Sequence, residues 1–241
     1  MRYETRGDAG WLTFDRPDSA NALTPETLDE AVELLGRASD ERIAVLAGEG
    51  EHFCAGGDLE AIASIDGIDE ARDFADGVVG LLRAVETAPV PVISAVDGDA
   101  FGAGFELVVA CDLAVASEDA RFGTPETRMG VQPPLTVERV AETAGRKRVA
   151  EMAFTCEPID AETAADWGVI NRAVPADDVD DEVMDTVSSI ARSDAEATRV
   201  TKERITARDD YDEISERMAE RLTAPETRRR FRTAAEGIND G

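Results

Sequence analysis

The chain is poor in the side chains that usually advertise catalysis. Its single histidine, His52, leaves no material for most Ser-His-Asp arrangements or for poly-histidine metal sites. Three cysteines, Cys54, Cys111 and Cys156, stand far apart with no C-x-x-C, so neither a disulfide framework nor a sulfur-rich zinc site is expected. Positive charge is equally scarce: 25 Lys and Arg face 52 Asp and Glu, a formal net charge of −27 over 241 residues. That load excludes non-specific nucleic-acid binding and docking on an anionic membrane. No uncharged apolar stretch approaches the roughly 20 residues of a membrane span, and the opening MRYETRGDAG lacks the apolar run of a signal peptide. The expectation is a soluble, cytoplasmic protein. Lysine is nearly absent too, with Lys147 and Lys202 set against an excess of arginine.

Repulsion among so many carboxylates opposes the compact state at ordinary ionic strength, whereas at about 1 M salt the screening length falls to roughly 3 Å. The composition points to a salt-loving cytoplasm and predicts that folding needs molar salt. The melting temperature should rise between about 0.1 M and about 2 M KCl, and a midpoint that does not move counts against it.

Apolar residues make up 43% of the chain, enough for a sizeable core. RYETR, a turn over Gly7-Asp8-Ala9-Gly10 and WLTFD read as a hairpin. Thr24 and Pro25 read as a helix cap and first helical residue, followed by apolar positions at helical spacing until Gly36. The strand IAVLAG, a loop from Glu49 to Gly57, a helix from about Asp69 to Thr87 and the strand PVISAV come next. After the turn DGDAFGAG, a short apolar helix FELVVAC leads into the strand DLAVA. Strands alternating with helices favour an α/β layered core. From Pro133 the pattern turns helix-rich, interrupted by a strand at VINRAV. Beyond Pro175 arginines and acids interleave at helical spacing, as on solvated helix faces, up to a break at Pro225. The C-terminal fifth reads as a helical appendage, packed on the core or on a neighbouring subunit.

Two glycine-rich turns follow predicted strands: Phe53-Cys54-Ala55-Gly56-Gly57-Asp58-Leu59, and Asp97 to Glu106 with Gly98, Gly102 and Gly104. Small residues let a ligand approach the backbone, and a helix beginning near Ala103 offers free N–H groups at the positive end of its dipole, a place that suits an oxyanion. A dinucleotide fingerprint is disfavoured in the second turn, because Leu107 stands where its third glycine belongs. His52 and Cys54 share a face if that stretch is extended, but nothing nearby supplies an orienting partner for a Cys–His nucleophile. Two carboxylates follow: Glu106 amid Phe105, Leu107, Val108 and Val109, where burial is awkward without partners, and Glu126 in FGTPET. The pair matters if the fold brings both to one cavity. For Glu106 an exposed helix edge is the competing reading.

In order along the chain, RPDSANALTPE, HFCAGGDLEAI, PVISAVDGDAFGAGFELVVACDLAVASEDARFGTPETRMGV and EPIDAETAADWGVINRAVP resemble the crotonase superfamily, the enoyl-CoA hydratase/isomerase family, in an acidic, haloarchaeal-like form. The resemblance implies an α/β fold, a crotonase-like spiral of β-β-α units over residues 1–190. Residues 191–241 would be a C-terminal helical region used in trimerisation, as a homotrimer or a dimer of trimers. It implies an acyl-coenzyme A thioester as ligand, with no metal or redox cofactor. Backbone N–H groups of Gly57 and Ala103 would form the oxyanion hole. Ala20, Ala55, Asp58, Leu59 and Gly102 would join them around the substrate, and Glu106 and Glu126 would be the catalytic carboxylates. Glu106 would act as base on the attacking water and Glu126 as proton donor to the α-carbon in hydration of a 2-enoyl thioester. An enoyl-CoA isomerase, or a non-catalytic acyl-CoA or RNA-binding relative, are the alternatives. Three departures stand out. Gln132-Pro133-Pro134-Leu135-Thr136 replaces the glycine-rich loop that helps seat water, and Pro134 has no N–H to give. Asp18 and Glu60 stand where basic residues commonly meet the coenzyme phosphates, leaving Arg16 as the nearest cation. The close at Ile238-Asn239-Asp240-Gly241 lacks the usual Phe and Lys.

Overall fold

The computed structural model describes residues 1–206 and 211–239. Ala207 to Asp210, within the predicted helical run, and Asp240 and Gly241 of the closing segment lie outside the described residues.

Among the described residues, ten strands form two sheets. The larger has the order β1 (Arg2–Arg6), β2 (Ala9–Phe14), β3 (Ile43–Gly48), β5 (Val92–Val96), β7 (Leu113–Ser117) and β10 (Arg172–Val174). The smaller has the order β4 (His52–Cys54), β6 (Asp99–Phe101), β8 (Arg121–Gly123) and β9 (Ile159–Asp160). β1 and β2 form the antiparallel hairpin, and β2, β3, β5, β7 and β10 then run parallel. The chain thus repeats one path: a strand in the large sheet, a short parallel strand in the small sheet, then a helix. This is the expected spiral of β-β-α units. α2 (Leu59–Ser64) and α3 (Ile68–Thr87) follow β4, and α4 (Ala103–Ala110) follows β6; α1 (Pro25–Ala38) precedes β3. After β8 come α5 (Glu126–Met129), α6 (Thr136–Thr143), α7 (Arg146–Thr155) and α8 (Ala161–Asp166). α9 (Val179–Ala191), α10 (Ala195–Thr206), α11 (Tyr211–Thr223) and α12 (Pro225–Asn239) close the chain.

Local chemistry accounts for the elements that periodicity foresaw. Thr24 Oγ1 accepts from Thr27 N at 3.3 Å and Pro25 opens α1, which runs past Gly36 to Ala38. Every residue of β5 is buried, because the sheet is covered on both faces. On one face Leu12, Leu46, Val92 and Val96 join the main core with α1, α3 and α4; on the other Trp11, Val45 and Ile93 meet Val179, Val183 and Val187 of α9.

Several boundaries differ from the expectation. The hairpin turn is Gly7-Asp8 alone, and Ala9 and Gly10 belong to β2, where a side chain on Gly10 would lie 2.9 Å from the Cα of Ala38. The supposed loop 49–57 contains β4, the turn 97–104 contains β6, and the last parallel strand is only Arg172–Val174. Three-residue strands are too short to show alternation. The C-terminal helices pack on their own chain: α11 lies along α3, α12 lies on α2, and Met218, Ala219, Leu222 and Phe231 enter the main core.

Candidate active site

The two glycine-rich turns are pressed into one another by the small sheet. β4 pairs with β6, and α4 starts directly beyond β6. A side chain on Gly104 would overlap the carbonyl oxygen of Cys54 at 2.0 Å, and one on Gly56, whose φ is +95°, would come within 2.8 Å of the Phe101 carbonyl. Glycine is what allows this approach. In the first turn the Ala55, Gly56 and Asp58 amides are spent on Ala20 O (2.9 Å), Cys54 Sγ (3.4 Å) and Leu23 O (2.9 Å). In the second, Gly102 N donates to Gly123 O at 3.0 Å. Among the described residues, the Gly57 and Ala103 amides donate to no protein acceptor. Both border a cavity of about 90 Å³.

Ala55, Gly57, Leu59, Gly102, Ala103 and Glu126 all line that cavity. Asp58 and Ala20 do not. Asp58 caps α2, its Oδ1 accepting from Glu60 N and Ala61 N at 3.1 Å, and it pairs with Arg16 at 3.2 Å. Ala20 supports the turn through its carbonyl. Arg16 is engaged by Asp58 and by Ala22 O at 2.6 Å, so it holds the loop. Apart from Gln132 the rest of the wall is apolar, with Ile62, Phe74 and Val78 from α2 and α3 and Met218, Leu222 and Phe231 from α11 and α12. These last three escaped the sequence reading, since they sit in helices dense with charge and only their neighbours reveal their direction. A larger hollow of about 660 Å³ lies on the opposite face of the main sheet, beside Arg2, Arg6 and Asp97, and contains neither Gly57 nor Ala103.

Glu106 sits on α4 one turn beyond Ala103 and is wholly buried, so the exposed-edge reading fails. It is not in the cavity wall itself. Its Oε2 accepts from Leu135 N at 2.8 Å and Thr136 N at 2.9 Å. The loop with the two prolines therefore still supplies amides, one and two residues after Pro134, and spends them on orienting Glu106. Glu106 Oε1 is buried without a protein donor among the described residues, as is Glu126 Oε2. Burial pushes the Glu106 carboxyl up to about 7 against the pull of the two amides. Burial and then the Glu106 charge push Glu126 up to about 8. Both carboxyls are raised and they act on one another, so near neutral pH the pair retains a proton. Cys54, by contrast, is a fully buried thiol raised by burial to about 12, unsuited to attack.

Both carboxyls have folded values above their unfolded ones, so the native state holds more protons than the unfolded chain between about pH 4.5 and about pH 8. Their contribution to stability is fully present below the unfolded value and is lost as pH rises through the folded values. The melting temperature should fall from about pH 5 to about pH 8.5 in molar salt, and less steeply in the E106Q/E126Q double variant. Equal slopes would contradict the buried, shared proton.

Carnitinyl-CoA dehydratase of Proteus mirabilis is 36% identical over 208 residues, covering 84% of this chain and 78% of its own. Mevalonyl-coenzyme A hydratase sidH of Aspergillus fumigatus is 33% identical over 198 residues, covering 80% and 72%. The crystal structure of enoyl-CoA hydratase from Bacillus anthracis superposes with a TM-score of 0.82 at 28% identity, covering 92% of this chain and 90% of that one. The family profile described as Enoyl-CoA hydratase/isomerase matches residues 5–238. With its spiral fold and paired turns, the chain belongs to the enoyl-CoA hydratase/isomerase family.

Proposed function

We propose that the protein hydrates 2-enoyl-CoA thioesters. The observation that carries this reading is the placement of two glutamates with raised affinity for protons, each keeping one unpartnered oxygen, beside two turns whose Gly57 and Ala103 amides are unspent. Water addition to the conjugated double bond builds negative charge on the thioester oxygen. Two preorganised N–H donors stabilise it where it develops, each worth about 3–4 kcal/mol in other enzymes. Glu106, held by the Leu135 and Thr136 amides through one oxygen, takes a proton from water attacking the β-carbon through the other. Glu126, in the cavity wall beside Ala103, delivers one to the α-carbon. The roles reverse in dehydration.

The apolar wall formed by Ile62, Phe74, Val78, Met218 and Leu222 suits a hydrocarbon acyl chain. Assembly as a trimer or a dimer of trimers belongs to the same reading, and Phe154, 78% exposed on α7, is apolar surface that such an assembly would cover. So does a cytoplasmic location, consistent with the lack, among the described residues, of any helix long and apolar enough to cross a membrane. The test is incubation with crotonyl-CoA in molar KCl, following loss of the enoyl-thioester absorbance and identifying the product. A 3-hydroxyacyl-CoA supports hydration; double-bond migration without water uptake identifies an isomerase and overturns it.

A further inference from the structure

One stretch of backbone places both carboxylates. Glu126 opens it, and the Leu135 and Thr136 amides that hold Glu106 close it. The stretch has few ties of its own. α5 is a single turn ending on Gly130 at φ +87°, and the following Gln132-Pro133-Pro134 includes two residues with no N–H.

Arg128 ties the start of the stretch to Thr155 O at 2.7 Å and to Glu157 at 3.0 Å, and Val131 and Leu135 are buried in the main core; its middle, at Gly130, is fastened by the C-terminal helices. Arg221 of α11 donates from Nε and Nη2 to the Gly130 carbonyl at 2.9 and 2.8 Å, and Thr227 Oγ1 of α12 donates to the same oxygen at 3.3 Å. A carbonyl at a helix C-terminus carries partial negative charge, and a guanidinium is a matched donor for it. The fit is close: a side chain on Gly130 would lie 2.7 Å from Thr227 Oγ1 and 3.1 Å from Arg230 Nη1. α11 is itself anchored, because Arg72 of α3 donates to both carboxylate oxygens of Glu216 at 2.9 Å. Met218, one turn before Arg221, and Leu222, immediately after it, are buried in the wall of the cavity.

We propose that Arg221 is a positioning residue: by pinning Gly130 it orders the loop that sets Glu126 and Glu106, and because Met218 and Leu222 share its helix, acyl contact and loop order are coupled. This rests on the hydratase reading for its kinetic consequence and on the contacts alone for its structural one. Arg221→Met should lower kcat for crotonyl-CoA about tenfold while KM stays within about threefold, the split expected when the reacting groups and not the binding surface are disturbed. Arg221→Lys or added guanidinium should restore part of the rate, and Thr227→Val should give a weaker form of the same defect. Without substrate, amide exchange at Leu135 and Thr136 should accelerate about tenfold in Arg221→Met, with exchange in β3 and β5 unchanged. Wild-type rates and exchange in Arg221→Met overturn the proposal. So does exchange that rises equally throughout the sheets, which would mark a general loss of stability. A wild-type protein that hydrates no enoyl-CoA overturns the hydratase reading, while the exchange contrast still decides the pin.

Discussion

Glu126→Gln should lose about 10²–10⁴-fold in crotonyl-CoA hydration while binding a saturated acyl-CoA within about threefold of wild type. Glutamine keeps the shape and neutrality of the protonated acid, so the site should remain folded, but it has no proton to deliver to the α-carbon. Glu106→Gln should lose hydration to a similar degree for a different reason: the amides of Leu135 and Thr136 still meet a carbonyl oxygen, and the free end of the side chain is no longer a base. The two variants are separated by exchange of α-hydrogens on butyryl-CoA in deuterated solvent. This exchange needs the oxyanion donors and one carboxylate, but no addition to the β-carbon. It should persist in Glu106→Gln and vanish in Glu126→Gln. The reverse result would exchange the two roles, and full hydration by either variant would remove that residue from the mechanism.

Much of this site is readable from residue order because its parts are local. A Thr-Pro pair opens α1, VISAV, apolar but for Ser94, fits a strand covered on both faces, and clustered glycines mark where Gly104 must clear the Cys54 carbonyl. The small sheet escapes such reading, since His52–Cys54, Asp99–Phe101 and Arg121–Gly123 are too brief to carry a period. The holding of Glu106 escapes it for another reason. Its donors are backbone amides 29 and 30 residues away, and any non-proline residue has one. The same holds for the roof of the cavity. Met218, Leu222 and Phe231 are plain apolar positions on amphipathic helices, and periodicity says that such a face is buried without saying against what.

Lys202→Met should be more destabilising than any of the site substitutions. Lys202 is 4% exposed, and its ammonium is shared among three acceptors: Asp112 Oδ2 at 2.7 Å, Val90 O at 2.9 Å and Val85 O at 3.1 Å. It thereby joins α10 to the end of α3, to the entry of β5 and to the residue just beyond α4, whose other end bears Ala103 and Glu106. Methionine matches the stem but leaves a part-buried carboxylate without its counter-ion and takes a donor from each of two carbonyls, a defect that costs about 3–5 kcal/mol when one member of a buried pair is removed. For a chain of this size that is a fall of about 6–20 °C in melting temperature. Asp112 also accepts from Val92 N at 2.7 Å, so Asp112→Asn should cost less than Lys202→Met. Salt provides the internal control. Pairs on the surface, such as Arg199 with Glu196, contribute little and are screened in molar KCl, whereas a pair enclosed by protein is screened far less. The Lys202→Met deficit should therefore persist at about 2 M KCl, and a loss confined to dilute buffer would mean that this ammonium acts only as one more surface charge in an acidic protein.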